Sequence, residues 1–203
     1  MCQRVGVTAA PLDDLVVERR GQIHEAAIDQ FVRRGITGTS MANIADAAGL
    51  SRPALYQYFD NKTDIFASAF VALFEKHIDL ALDALDQPAA TSVRLDGFLQ
   101  RFEGDLWQLR AGSPHADEIL RAKHTHLATS IEDVVARLWA GLDSFLAAVA
   151  PGRSKAAVDR RTSWFDVLRF APRGLAFDQP PVDVYRRRLA TLASSVAADI
   201  DSL

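Results

Sequence analysis

The chain has 203 residues, of which 49% are hydrophobic and 24% are charged. These proportions are typical of a globular protein and exclude a chain that is disordered throughout. The formal net charge of −3 excludes a uniformly basic nucleic-acid coat, although a local basic surface stays possible. The single cysteine, Cys2, excludes an internal disulfide framework. Because neither a membrane-length apolar run nor a signal-peptide core is found, we expect a cytoplasmic protein with no membrane partner.

The hydrophobic pattern is helical along nearly the whole chain, which predicts an all-α fold. Apolar residues recur three and four positions apart, and we find no alternating strand pattern or hairpin turn signal. Gly35 ends the first predicted helix because glycine accepts a positive φ, and Ser40 and Asn61 are N-caps of the second and fourth helices. Residues 171–180 are predicted to be a loop. The predicted helices cover residues 13–34, 41–48, 51–58, 62–85, 92–110, 116–149, 154–170 and a last segment that begins near residue 181.

The segment from Ser40 to Leu55 has the plan of a helix-turn-helix motif. Ala45 is small where the two helices must cross closely, and Gly49 supplies a positive φ for the turn four residues later. A helix that starts near Ser51 then projects its N-terminal side chains outward, as a helix that enters the major groove must do.

The residues around this motif are candidates for contact with DNA. Arg52 can read a base, because a guanidinium group can bond guanine O6 and N7 together. Hydroxyl donors and one cation suit phosphate oxygens, whereas proline and alanine offer only apolar contact, for example to a thymine methyl. Solvated surface charge is the alternative for the cations, and partly buried packing is the alternative for the tyrosines. The candidates are Thr39, Ser40, Ser51, Arg52, Pro53, Ala54, Tyr56, Tyr58 and Lys62.

Residues 21–70 resemble the DNA-binding region of TetR-family transcriptional repressors. The resemblance lies in AAIDQFVRRGITGTSMANIADAAGLSRPALYQYFDNKTDIF, and its LYQYFDNK segment is similar to the family's Leu-Tyr-x-His/Tyr-Phe-x-x-Lys ending. It implies that Tyr56, Tyr58 and Lys62 contact phosphates and that residues 51–54 face the bases. It also implies an N-terminal three-helix helix-turn-helix domain, which we place at residues 1–62, and a larger helical-bundle domain for ligand binding and dimerisation at residues 63–203.

The same resemblance implies a homodimer that binds a double-stranded, palindromic DNA operator and that a small-molecule effector releases. The last two helices would then pair with their copies, through small residues that include Ala193 and Ala197. Arg186, Arg187 and Arg188 would pair with acids across that interface.

Aromatic and polar residues on the predicted bundle helices are candidates for an effector pocket, because ligand cavities use that mixture. Plain core packing is the alternative for each of them. On the connecting helix, Phe70 and Phe74 are placed to touch both core and ligand. The candidates are Phe70, Phe74, Phe98, Phe102, Trp107, Lys123, His126 and Trp164.

No sequence motif indicates catalysis, so we expect a regulator with no cofactor and no metal. The chain has no HExxH, CxxC, Gly-x-Ser-x-Gly or glycine-rich phosphate loop. His124 and His126 are two positions apart and would point to nearly opposite sides of a helix. Two alternatives stay open: a helical small-molecule-binding protein or enzyme that does not bind DNA, and an architectural DNA-binding protein that has no effector.

Overall fold

The computed structural model describes residues 12–126 and 128–202, and 83% of these described residues are helical. No strand occurs among the described residues, which confirms the predicted all-α fold. In that part of the chain, no helix is long and apolar enough to cross a membrane. The helices are α1 Leu12–Gly38, α2 Met41–Ala47, α3 Arg52–Leu55, α4 Lys62–Asp86, α5 Thr91–Leu99, a π-helical turn Gln100–Gly104, α6 Asp105–Ala111, α7 Ala116–His126, α8 Ala128–Val149, α9 Lys155–Leu175 and α10 Val182–Asp201.

The first three helices enclose a small apolar core. Phe31 of α1, Ile44 of α2 and Leu55 of α3 are each fully buried. The helical path of α1 is interrupted at Gly35, whose φ of 71° is open to glycine but strained for other residues. Gly49, with a φ of 65°, makes the turn between α2 and α3. These two glycines set the directions in which the short helices leave α1 and α2.

Helix α4 connects this three-helix unit to the rest of the molecule. It begins at the N-cap Asn61, whose Oδ1 accepts from the Asp64 backbone N–H at 3.0 Å. Near its start, Phe66 packs edge-on against Phe31 with ring centroids 5.4 Å apart. Further along, Phe74 and Ile78 are buried among the bundle helices. One continuous helix therefore contacts both parts of the fold.

Helix α10 packs along α5, and Leu189, Ala193 and Ala197 are at most 1% exposed. Ala193 and Ala197 therefore fill the chain's own bundle and are not on an outer face. Of the other alanines predicted for the contact between copies, Ala190 is half-buried and Ala198 is exposed. The arginines also pair within the chain, Arg186 with Asp105, Arg187 with Asp183 and Arg188 with Asp178.

Several boundaries differ from the sequence prediction, and the segment predicted as one helix over residues 116–149 forms α7 and α8. The segment predicted as one helix over residues 92–110 contains the π-helical turn, which inserts an extra residue into the helical path. Helix α3 has four residues, and a turn continues to Tyr58, whose N–H donates to the Leu55 carbonyl at 3.0 Å. Helix α9 continues to Leu175 through Pro172, which is buried and accepts from the Tyr185 hydroxyl at 3.3 Å. That packing offsets the hydrogen bond that proline cannot donate.

Candidate DNA-binding surface and ligand cavity

The outer side of α3 is open to solvent. Ser51 caps the helix by accepting from the Ala54 N–H at 3.3 Å, and Ser51, Arg52 and Pro53 are all exposed. The Arg52 guanidinium donates to the Tyr56 hydroxyl at 3.3 Å and lies over the same ring. This contact is with an exposed neighbour on the same face, so the guanidinium group stays accessible.

The other predicted contacts on this side are partly used by the protein itself. Tyr56 is 43% exposed, and Tyr58 and Ala54 are half-buried. The backbone carbonyl of Tyr58 accepts from Arg20 at 3.2 Å. Ser40 is exposed and forms a capping box with Asn43 at the start of α2.

Thr39 and Lys62 are placed differently from the sequence prediction. Thr39 is 2% exposed, and its hydroxyl donates to the Gly35 carbonyl at 2.6 Å, so it is turned away from solvent. The Lys62 ammonium donates to the carbonyls of Ile36 (2.5 Å) and Thr39 (2.7 Å). Lys62 therefore ties the start of α4 to the end of α1, because the last carbonyls of a helix need donors that the helix itself lacks.

A cavity of about 930 Å³ lies among α4, the π-helical turn and helices α6 to α9. Five of the predicted pocket residues line it, namely Phe70, Phe74, Phe102, Trp107 and Lys123. Phe98 and Trp164 do not. Phe98 is 1% exposed and packs near Trp139, whereas Trp164 donates from Nε1 to Asp199 at 2.7 Å in another part of the bundle. The side chain of His126 lies outside the described residues.

The lining residues that sequence reasoning missed include Glu103, Trp139, Arg169, Arg173 and Tyr185. Trp139 is next to Leu138 in an apolar helical segment, and this apolar pattern is a signal that could have identified it. No signal identified Glu103, because the π-helical turn changes the side to which it points. Arg173 stood in a segment predicted to be a loop.

The cavity contains a carboxylate and several cations close together. Burial raises the pKa of the Glu103 carboxyl, and the Tyr185 hydroxyl lies 3.4 Å from it. Burial lowers the pKa of the Lys123 ammonium, and the nearby charge of Arg173 lowers it further. Burial and the Glu103 carboxylate together raise the pKa of the Tyr185 phenol.

Helix α7 links this cavity to the three-helix unit. Glu118 of α7 accepts from the Thr37 N–H (2.7 Å) and the Thr37 hydroxyl (2.6 Å), at the end of α1. Ser113 donates to the Val32 carbonyl at 2.7 Å. A Cβ at Gly35 would collide with Glu118, so the glycine permits this close approach. Lys123, one turn along α7, lines the cavity.

No group of three or more histidine, cysteine, aspartate or glutamate side chains is placed to hold a metal ion within the described part of the chain. An exposed helix-turn-helix motif therefore stands on a helical bundle whose cavity is large enough for a small molecule.

Comparison with known proteins finds similarity in the N-terminal part of the chain. Residues 23–69 match the family described as bacterial regulatory proteins, tetR family. The chain is 39% identical over 75 residues to the transcriptional activator FasR of Mycolicibacterium smegmatis, a match that covers 37% of this chain and 32% of that relative's length. The N-terminal part of the chain is therefore similar to the corresponding part of TetR-family transcriptional regulators.

Solved structures share the fold over most of the chain. A putative TetR-family regulator from Mesorhizobium loti superposes with a TM-score of 0.61 at 16% identity, covering 90% of this chain and 96% of the other. FadR of Bacillus subtilis, solved in complex with stearoyl-CoA, has a TM-score of 0.53 at 20% identity and covers 88% and 96%. At these identities the likeness shows the fold alone.

Proposed function

We propose that the protein is a transcriptional repressor that binds operator DNA through α3 and is released by a small molecule in the cavity. The observation that supports this most directly is the open outer side of α3, where Ser51, Arg52 and Pro53 are exposed after the turn at Gly49. A recognition helix covered by its own bundle could not enter a groove.

In this proposal, base reading comes from the first turn of α3. Arg52 bonds a guanine edge, and Pro53 and Ala54 provide apolar contact. Ser40, Ser51, Tyr56 and Tyr58 donate to phosphates. Lys62 supports the site from behind, because its ammonium already binds two backbone carbonyls.

We further propose a homodimer, in which residues 1–62 bind DNA and residues 63–203 bind the effector and the second copy. Two recognition helices would then lie about 34–36 Å apart in successive major grooves. Apolar side chains on the last two helices, the exposed Val167 of α9 and the half-buried Leu192 of α10, support a dimer contact there.

Effector release requires the ligand to favour one of two dimer conformations. The contact between Glu118 and Thr37 supports α7 as the route, since the same helix lines the cavity through Lys123 and holds the end of α1. A ligand that shifts α7 would move the three-helix unit.

The test is fluorescence anisotropy with duplexes from the DNA upstream of the protein's own gene, at several salt concentrations. We expect binding that is specific over random DNA and weakens steeply with salt. The absence of binding to any duplex at low salt would overturn the proposal and leave the small-molecule-binding alternative. A reporter gene behind the bound site tests the direction of control, because the relative FasR is named an activator.

A further inference from the structure

We propose that the ligand of this cavity is an organic monocarboxylate with an apolar body, its anionic group lying between Lys123 and Arg173. The inference extends the proposed function, on which it rests for the use of the cavity as the effector site.

The charge around the cavity favours an anion. Of the residues that the structure describes in the lining, Arg110, Lys123, Arg169 and Arg173 are cationic, and Glu103 and Glu132 are acidic. Glu132 is exposed at its rim. In the described chain, no carboxylate oxygen forms an ion pair with the terminal nitrogens of Lys123 or Arg173. Glu103 is near enough to attract both cations, and a ligand carboxylate would supply the second negative charge between them.

The aromatic rings do not favour a cationic ligand, because the protein's own cations already lie over them. Lys123 Nζ is 4.8 Å from the centroid of Phe74, Arg110 lies over Trp107 at 5.2 Å, and Arg169 lies over Trp139 at 5.3 Å. A ligand ammonium directed at these faces would meet like charge at short range.

Glu103 is consistent with this assignment, because its negative charge restricts where a ligand carboxylate can bind. Its carboxyl accepts from the Tyr185 hydroxyl at 3.4 Å, so it already has a hydrogen-bond partner. Its charge attracts Lys123 and Arg173 and opposes a second carboxylate beside it. The ligand's anionic end is therefore directed toward the two cations and away from Glu103.

The rest of the cavity suits an apolar body. Phe102, Leu106, Leu120 and Ile131 contribute carbon surface to the lining. The volume of about 930 Å³ lies within the range of small-molecule pockets, roughly 300–1,000 Å³. Both a flexible alkyl chain and a rigid ring system fit this description, so the test uses one of each.

The experiment measures binding of matched probes to the full chain by calorimetry and tryptophan fluorescence. The alkyl series is decanoate, 1-decanol and decylammonium, and the ring series is 2-naphthoate, 2-naphthol and 2-naphthylmethylammonium. We expect at least one carboxylate to bind ten times or more tighter than its neutral and cationic partners. Tighter binding of an ammonium probe, equal affinities within both series, or no binding of either carboxylate would overturn the proposal.

Variants locate the anionic group. Lys123→Met and Arg173→Gln should each weaken carboxylate binding tenfold or more and leave the alcohol unchanged, whereas Glu103→Gln should strengthen it. The matched controls are Lys155→Met and Arg137→Gln, which remove exposed cations outside the cavity. If the controls weaken binding as much as the cavity variants do, the assignment is wrong. Thermal unfolding of every variant separates loss of the site from loss of the fold.

The DNA assay keeps the two proposals separate. If the protein binds its operator but no carboxylate, only the ligand assignment fails. If it binds a carboxylate but no duplex, only the proposed function fails.

Discussion

The three-helix unit and the bundle behind it build their sites in opposite ways. The DNA-binding surface consists of neighbouring residues on one short helix, and local features such as the Ser51 cap and the Gly49 turn set its geometry. The cavity is assembled from residues more than 100 positions apart, such as Phe70 and Arg173. A surface of the first kind can be recognised from sequence spacing, whereas a cavity of the second kind depends on how whole helices pack.

The largest expected effect concerns the core of the three-helix unit and its contribution to the stability of the protein. Leu55 is fully buried, so Leu55→Ala should lower the free energy of unfolding by about 2–5 kcal/mol through lost burial and the cavity it leaves. Urea unfolding gives the value, with the half-exposed Leu80→Ala as control. A loss as small as that of the control would mean that α3 is not packed as described.

The next effect concerns Lys62, which family resemblance assigns to phosphate and the structure assigns to two carbonyls. Because Lys62→Met would leave these carbonyls without their donor, it should destabilise the protein by roughly 1–3 kcal/mol. The salt dependence of DNA binding should keep its slope. If the slope of log affinity against log salt concentration falls by about one and the stability is unchanged, Lys62 contacts a phosphate after all. Lys76→Met, at an exposed site on α4, is the control.

Arg52 should show the reverse behaviour. Arg52→Ala is expected to cost about 1–3 kcal/mol of binding to the operator, little binding to random DNA and no stability. Competition anisotropy with specific and random duplexes measures the ratio of the two affinities. Arg137→Ala controls for the loss of one positive charge. Equal losses on both duplexes would remove Arg52 from base reading.

The smallest effect lies at the contact between the two regions. Hydrogen bonds from Thr37 lower the pKa of the Glu118 carboxyl, so ionised Glu118 stabilises the fold above its ordinary pKa of 4.5. That stabilisation is lost as pH falls through the lowered pKa in the folded state. Glu118→Gln should therefore lose less stability than the native chain between pH 7 and pH 3. If the free energy of unfolding changes with pH in the same way in both proteins, ionised Glu118 does not provide this stabilisation.

The sequence was sufficient for the fold class and for the exposed helix-turn-helix geometry around α3, because helical periodicity, caps and a positive-φ glycine are local signals. It was misleading for Thr39 and Lys62, whose polar groups look free in a sequence and are used by the end of α1 in the structure. It could not identify Glu103 or Arg173, since their positions depend on an irregular helical turn and on a helix that continues through Pro172.

The π-helical turn at Gln100–Gly104 has a consequence for how this cavity can change over evolution. Deleting one residue there would restore ordinary α-helical geometry and leave the following helix, with Trp107, close to its present direction, because the wide turn already accommodates the extra residue. The side chains within the turn, Phe102 and Glu103, would change direction. A single-residue deletion would therefore change part of the cavity wall while the helix beyond it stays in place.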